Sequence, residues 1–342
     1  MQVSSLIQCS FGSSRNKKTL GNLQGPALAA GICALKDKIN TSLLVICDNP
    51  FSVTKIQQDL HALAPKLQIH VFPDYETLPY DALSPHQDII SARLELLSEL
   101  PSIKNSVIIL SLNVLMGRLC PTDYVAKYSF VLKKGEIKDI NALRQSLVNN
   151  GYLQVAQVLE HGEFAVRGSI LDIFPMGSDE PFRIDFFDDE VDSIRTFDVE
   201  TQRSLNEIKE IKLLPAHEFP LDKEGISAFR SNYRNAFPSV NLNAHTIYQA
   251  ISKGAIPAGI EYYLPLFFGK SSTFFDYINK DYSLVLVGDI QKAAEDFDVE
   301  THKRASLNAG NSDHPSLPAY TLFLSPNELF SNIQNYPYIS LY

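Results

Sequence analysis

The chain has 342 residues, 45% of them hydrophobic, enough for more than one core, because single cores stop growing near roughly 250 to 300 residues. Its net charge of −9, from 30 basic and 39 acidic residues, opposes the approach of a phosphate backbone. The basic runs Arg15-Asn16-Lys17-Lys18 and Lys133-Lys134 are too short to reverse that balance and read as solvated surface. Cys9, Cys33, Cys47 and Cys120 form no Cys-x-x-Cys pair and join no histidine cluster, which argues against a zinc site. No signal-peptide core occurs, nor any apolar run near about 18 residues, so a cytoplasmic protein with no membrane partner is expected.

From Leu20 the chain reads as a loop feeding an Ala-rich helix, then a buried strand Ser42–Cys47, a helix over about Thr54 to Ala62, and a strand Ile69–Phe72. Helices alternating with continuous apolar strands imply a parallel sheet. Ser84-Pro-His-Gln87 has the form of a capping box, with Ile90, Leu94 and Leu97 striping the helix behind it. Val107–Leu110 is a further buried strand. After Pro121 the pattern changes from buried runs to alternation, and a second domain is expected to begin there.

In that region Phe130–Leu132 reads as a strand, Asp139 caps a helix closed by Asn150-Gly151, and Leu153, Val155 and Val158 are expected to face inward. The stretch from Glu163 to Arg195 then alternates as a strand meander. One strand runs to Pro175, a second opens at Phe182, and Asp188-Asp189 turns into a third, Val191 to Phe197. Phe182, Ile184 and Phe186 take one face; Arg183, Asp185 and Phe187 take the other, with Arg167 also facing water. An outward Phe flanked by guanidinium groups reads as a docking face.

Past Pro215 helices are expected over about Asp222 to Ala236 and Ala244 to Lys253. The aromatic-rich Ala258–Phe268 is expected to pack on the first domain's sheet. A strand Ser283–Val287, a helix from Ile290 to about Leu307, an exposed loop from Asn308 to Pro318, and a capping box at Ser325–Glu328 opening a helix to Asn335 complete the pattern.

The meander, with Phe72–Asp81, Ser84–Ile90 and Ala258–Phe268, resembles the family formed by the excision-repair protein UvrB and the bacterial transcription-repair coupling factors, and is closest in wording to the N-terminal part of the latter. The resemblance implies a P-loop, RecA-like parallel-sheet α/β scaffold in two sequence segments, 1–120 and 216–342, with a small α+β module of antiparallel sheet, 121–215, inserted between them. A P-loop needs Gly-x-x-x-x-Gly-Lys-Ser/Thr, because backbone N–H groups cradle the phosphates, Lys neutralises them and the hydroxyl holds Mg²⁺. Matched to UvrB, Gly25 is retained, but the last glycine falls on Ala27, the lysine on Leu28 and the hydroxyl residue on Ala29, a degenerate copy expected to hold no nucleotide.

The same resemblance implies that Arg167, Arg183 and Phe187, with Glu163 and Asp185 beside them, bind UvrA. It implies no catalytic residue, metal or cofactor in this stretch, and a truncated chain. ATP, Mg²⁺, RNA polymerase and duplex DNA would be handled by motor and polymerase-binding domains beyond it. The alternative is a DNA- or nucleotide-binding part of a UvrB-like damage clamp. A catalytic use of His161 with Glu160 and Glu163 lacks a nucleophile, His217-Glu218 lacks the second His of a zinc protease, and Glu76 with Asp81 lacks a phosphate loop. The competing account of Arg167 and Arg183 is ordinary cross-strand pairing with Asp185, Asp188 or Glu190.

Overall fold

The computed structural model describes residues 18–342 except 22, 24, 239–241, 243, 244, 312 and 313. The expectations for Cys9, Arg15, Asn16, Lys17 and Ala244 therefore lie outside the described residues, as does part of the 308–318 loop.

Strand β1 (Lys18–Leu20) leads through Gly25 into α1 (Pro26–Lys36), whose first residue is a proline with φ preset for a helix. Then come β2 (Leu43–Cys47), α2 (Pro50–Leu63), β3 (Ile69–Val71), α3 (Gln87–Glu99), β4 (Val107–Ser111) and α4 (Leu112–Met116). The central stretch holds α5 (Thr122–Tyr128), β5 (Phe130–Lys133), α6 (Ile140–Asn149), β6 (Leu153–Gln154), β7 (Glu163–Arg167), β8 (Ile170–Ile173), β9 (Phe182–Phe187), β10 (Glu190–Phe197), β11 (Ser204–Ile208) and β12 (Glu210–Leu213). The last part comprises α7 (Lys223–Ala236), α8 (Thr246–Ser252), a 3-10 helix (Ile260–Phe267), α9 (Phe274–Tyr277), β13 (Ser283–Val287), α10 (Ile290–Asn308), α11 (Ala319–Leu322), α12 (Pro326–Ile333) and β14 (Tyr338–Leu341).

The first sheet has the order β1-β14-β13-β2-β4-β3 and every pairing in it is parallel. It draws on two separated segments of sequence, and the second sheet, β11-β10-β9-β8-β7-β6, lies between them in the chain. The scaffold with an inserted module is thus the architecture. Along β2, Leu43, Val45 and Cys47 pack with Ile32 and Leu35 of α1 and Ile56 and Leu60 of α2. Leu44 and Ile46 face the other way, into one continuous core that also takes Phe164, Leu171, Ile173, Ile184, Phe186 and Val191 from the second sheet. Burial on both faces explains why the parallel strands read as continuous apolar runs and the second sheet as alternation.

Several local expectations are corrected. Helix α2 starts at Pro50 rather than Thr54, because the Asn49 side chain accepts from the Ser52 N–H at 2.9 Å and caps it. Helix α3 starts at Gln87 with His86 as its cap, and Ser84 is not its N-cap. The Ser84 hydroxyl instead donates to the Glu261 carboxylate at 2.8 Å and accepts from the Gly259 N–H at 3.0 Å.

The aromatic stretch near Tyr262 packs mainly on α7 and α8, through Phe229, Tyr233 and Tyr248, rather than on the sheet. Strands β1 and β14 and helix α5 were not foreseen, the closing helix stops at Ile333, and Leu153 is exposed while Val158 is buried. The long strand to Pro175 is two strands. Gly168, at φ +63°, turns β7 into β8 in a two-residue hairpin that pairs Arg167 with Ile170.

The second sheet is fastened to α3. The Gly177 N–H donates to Ser91 Oγ at 2.7 Å, and the His161 ring, lying on Phe174, contacts Asp88 Oδ1 at 2.8 Å and the Ser178 carbonyl at 2.7 Å. Gly177 has φ +75° and no room for a side chain, since a Cβ there would lie 2.7 Å from Leu214 Cδ1.

Candidate docking face

The two faces of the second sheet differ in kind. The inner face carries Phe164, Leu171, Ile184 and Phe186 into the core. The outer face carries a cross-strand row in which Ala165 pairs with Asp172, Asp172 with Arg183, Arg183 with Arg195, and Arg195 with Glu207. The next row brings Arg167 opposite Ile170 and Ile170 opposite Asp185. Directly paired residues share a face, so these side chains are neighbours.

Arg183 does not project freely into water. Its Nε and Nη2 donate to the two carboxylate oxygens of Asp172 at 2.7 and 2.9 Å, its Nη1 donates to the Gln202 carbonyl at 3.1 Å, and the guanidinium lies 5.1 Å from the centroid of the Phe197 ring. Its side chain is 18% exposed and that of Asp172 only 2%. The hydrogen bond to Asp172 holds the Arg183 pKa above its usual value. The cross-strand partner is Asp172, not Asp185, Asp188 or Glu190.

Arg167 is different. Its side chain is 50% exposed, its Nη2 donates to the Ala156 carbonyl at 3.1 Å, and it stands 3.9 Å from Asp172 Oδ2. Among the described residues its guanidinium makes no other hydrogen bond.

Asp185 accepts from Ser193 Oγ at 2.9 Å and from Arg195 Nη1 at 3.3 Å. Glu163 accepts from the N–H groups of Leu159 and Glu160 at 2.8 and 3.0 Å and so caps the loop running over this end of the sheet. Phe187 stands at the end of β9 with 72% of its surface exposed. Asp188, at φ +52°, supplies the left-handed turn that returns the chain, a conformation Asp tolerates.

Across Glu190 from Phe187 is an apolar residue that strand periodicity did not reveal. Ile137 pairs with Glu190 as an isolated antiparallel bridge, and Glu190 pairs with Phe187, so the three share a face. Ile137 is 78% exposed. Its signal in the sequence was weak, because it stands alone in a polar turn. Large exposed apolar side chains grouped with arginine are the composition of protein–protein contact points.

On the first sheet, Gly25 takes φ +55° and opens α1. Ala27 is exposed, Leu28 packs against the sheet core, and Ala29 is 0% exposed among Ile32 and Leu43. The sequence-matched lysine and hydroxyl positions are thus apolar contacts of α1 with the sheet.

A buried ion pair ties α3 to the segment that follows β12. Arg93 Nε donates to Glu218 Oε1 at 2.6 Å, its Nη1 donates to the Pro73 carbonyl at 2.9 Å, and the Tyr75 hydroxyl donates to the same carboxylate. The guanidinium lies 4.4 Å from the Phe72 ring centroid and 4.1 Å from that of Tyr75. Nearby, burial pushes the Glu261 carboxyl up from 4.5 to about 7 and the His217 imidazole down from 6.5 to about 4. The described residues contain no group of three or more His, Cys, Asp or Glu placed to hold a metal ion.

Comparison with known proteins fits this geometry. Residues 130–219 match the family described as the UvrB interaction domain. Over 326 residues, 95% of its length, the chain is 42% identical to the transcription-repair-coupling factor of Escherichia coli K12, and over 323 residues it is 43% identical to that of Haemophilus influenzae.

Over nearly its whole length the chain is similar to the transcription-repair-coupling factors.

It spans 28% of the length of these two relatives. A more distant coupling factor, from Rickettsia bellii, is 33% identical over 302 residues. The matched stretch, 130–219, contains the whole outer face with Arg167, Arg183 and Phe187. Ile137 lies inside it as well. No helix among the described residues is long and apolar enough to cross a membrane.

Proposed function

We propose that this chain is the UvrA-recruiting part of a transcription-repair coupling protein, and that it works as an adaptor rather than an enzyme. The observation that carries the proposal is a solvent-facing Phe187 on the sheet face that also bears Arg167, within a UvrB interaction domain. Arg and aromatic residues dominate contact energies at such surfaces, with about 2 kcal/mol or more lost when a central one is truncated. Phe187 and Ile137 are the apolar anchors, Arg167 meets a partner carboxylate, and Arg183, Asp185 and Glu163 complete the face. The net charge of −9 tells against duplex DNA as the direct ligand of this part.

In this proposal residues 1–120 and 216–342 form the scaffold and 121–215 the recruiting module. Recognition of stalled RNA polymerase, its ATP- and Mg²⁺-driven release and translocation on duplex DNA belong to the further length of the coupling protein. Leu28 and Ala29 support the non-catalytic part of the proposal, since neither a cation nor a hydroxyl stands where a P-loop needs one.

The test is a pull-down of purified UvrA with the 342-residue chain. Retention of UvrA by the wild type and its loss with Arg167→Ala, Arg183→Glu and Phe187→Ala combined is the expected result, with no ATP turnover by the chain alone. Equal retention by both proteins, or ATP hydrolysis that responds to substitution of Leu28, would overturn it.

A further inference from the structure

The docking face contains a carboxylate that faces the partner side of the sheet and yet is buried. Asp172 sits in the middle strand of the outer face, flanked by Ala165 on β7 and Arg183 on β9. Its side chain is 2% exposed. A carboxylate so enclosed is tolerated only when its oxygens are satisfied. Both are satisfied, Oδ1 by Arg183 Nε and Oδ2 by Arg183 Nη2, with the Arg167 Nη2 3.9 Å from the same Oδ2.

The donor inventory separates the two arginines. Of the five N–H groups of Arg183, the Nε–H and one on Nη2 are engaged by Asp172, while Nη1 reaches the Gln202 carbonyl and, at 3.4 Å, Ser204 Oγ. Its planar fork is consumed inside the chain. Arg167 spends one donor on the Ala156 carbonyl and leaves the rest of its fork available. Bidentate recognition of a carboxylate by a guanidinium loses less side-chain entropy when the fork is already oriented before the partner arrives.

We propose that Asp172 is a positioning residue for partner binding: gripped by Arg183, it is a fixed buried negative charge that orients the free donors of Arg167 toward a carboxylate of the partner. This rests on the recruiting role proposed above. Arg183 then acts through Asp172, as a strut, and the group that meets the partner's acid is Arg167. The partner surface is an acidic side chain beside an apolar recess that receives Phe187.

The experiment is a double-mutant cycle on UvrA affinity, measured by titration with the 342-residue chain as wild type, Asp172→Asn, Arg167→Ala and the double variant, alongside melting temperatures. Asp172→Asn keeps the shape and removes the charge. It is expected to weaken UvrA binding about tenfold in the wild-type background and less than about twofold when Arg167 is already alanine, whereas its effect on melting is the same in both. Equal fold-losses in the two backgrounds, or no loss at all, would mean that Asp172 is only a structural residue.

If Asp172→Asn fails to fold, the cycle is repeated with Arg183→Lys, which keeps the charge and loses the fork, and the same pattern is expected. A wild-type chain that does not bind UvrA overturns the recruiting role and this inference with it. A wild-type chain that binds without the coupling overturns the inference alone.

Discussion

Two arginines each donate Nε and Nη2 to the two oxygens of one carboxylate, Arg93 to Glu218 at 2.6 and 3.4 Å and Arg183 to Asp172 at 2.7 and 2.9 Å, in different settings. Arg93 and Glu218 join the region between the sheets, sandwiched by Phe72 and Tyr75, with 4% and 2% of their side chains exposed. Arg183 and Asp172 lie on the outer face of the second sheet, where the arginine keeps one edge toward solvent. The first pair is closed on every side and can only fasten. The second leaves a neighbouring guanidinium, that of Arg167, half in water with donors to spare. Bidentate pairing by itself therefore does not distinguish a structural bolt from part of a recognition surface; the solvent access of the next charge does.

That contrast can be broken experimentally, and the largest effect is expected at the enclosed pair. Glu218→Ala strands the Arg93 charge and the Tyr75 hydroxyl in an apolar setting, and the expected loss is about 3 to 5 kcal/mol of unfolding free energy, read by denaturant titration. A loss below about 1 kcal/mol would mean that water or a rearranged side chain replaces the carboxylate there.

Next comes Arg183→Glu, which sets a second carboxylate against buried Asp172. Periodicity alone places Arg183 in water and implies an unchanged melting temperature. The observed pairing instead predicts a fall of several degrees together with loss of UvrA binding, so thermal melting decides between the two.

Phe187→Ala is expected to leave melting within about a degree, because the ring is mostly in water, while costing about 2 kcal/mol of UvrA affinity. Ile137→Ala is expected to follow it with a smaller loss, and an unchanged affinity would confine the apolar anchor to Phe187 alone.

The smallest expected effect is a slope. The Glu261 carboxyl titrates at about 7 in the fold against 4.5 ordinarily, mainly because of burial. Its contribution to stability is full below pH 4.5 and is lost as pH rises through about 7. Glu261→Gln should flatten that decline relative to the wild type across this window. His217, lowered from 6.5 to about 4, acts in the opposite sense, its contribution being full above pH 6.5 and lost as pH falls toward 4, so only the difference between variant and wild type is diagnostic.

Much of the scaffold was legible, because Leu43–Cys47, Val107–Ser111 and Ser283–Val287 are buried on both faces and so are apolar at every position but their serines. The short strands were not. Lys18–Leu20 pairs with Tyr338–Leu341, which in turn pairs with Ser283–Val287, and partners so distant in sequence leave no local signature. The hairpin at Gly168 was hidden because Ile170 continues the alternation across the turn. At the face itself, alternation sorted Arg183 and Phe187 onto the same side correctly. It could not show that Asp172, on that side too, would draw Arg183 down. Ser84 looked like a helix cap from its spacing, and lost that role to Glu261, distant in sequence.

The pairing of Lys18 with Ile339 has a consequence in time. During synthesis at roughly 5 to 20 residues per second, the earliest described strand waits on the order of half a minute for its neighbour to emerge from the ribosome. By then the residues of the inserted antiparallel module have long been available to fold. The ribbon can thus be finished while the platform still lacks its last plank, and a nascent chain in that condition already displays Phe187.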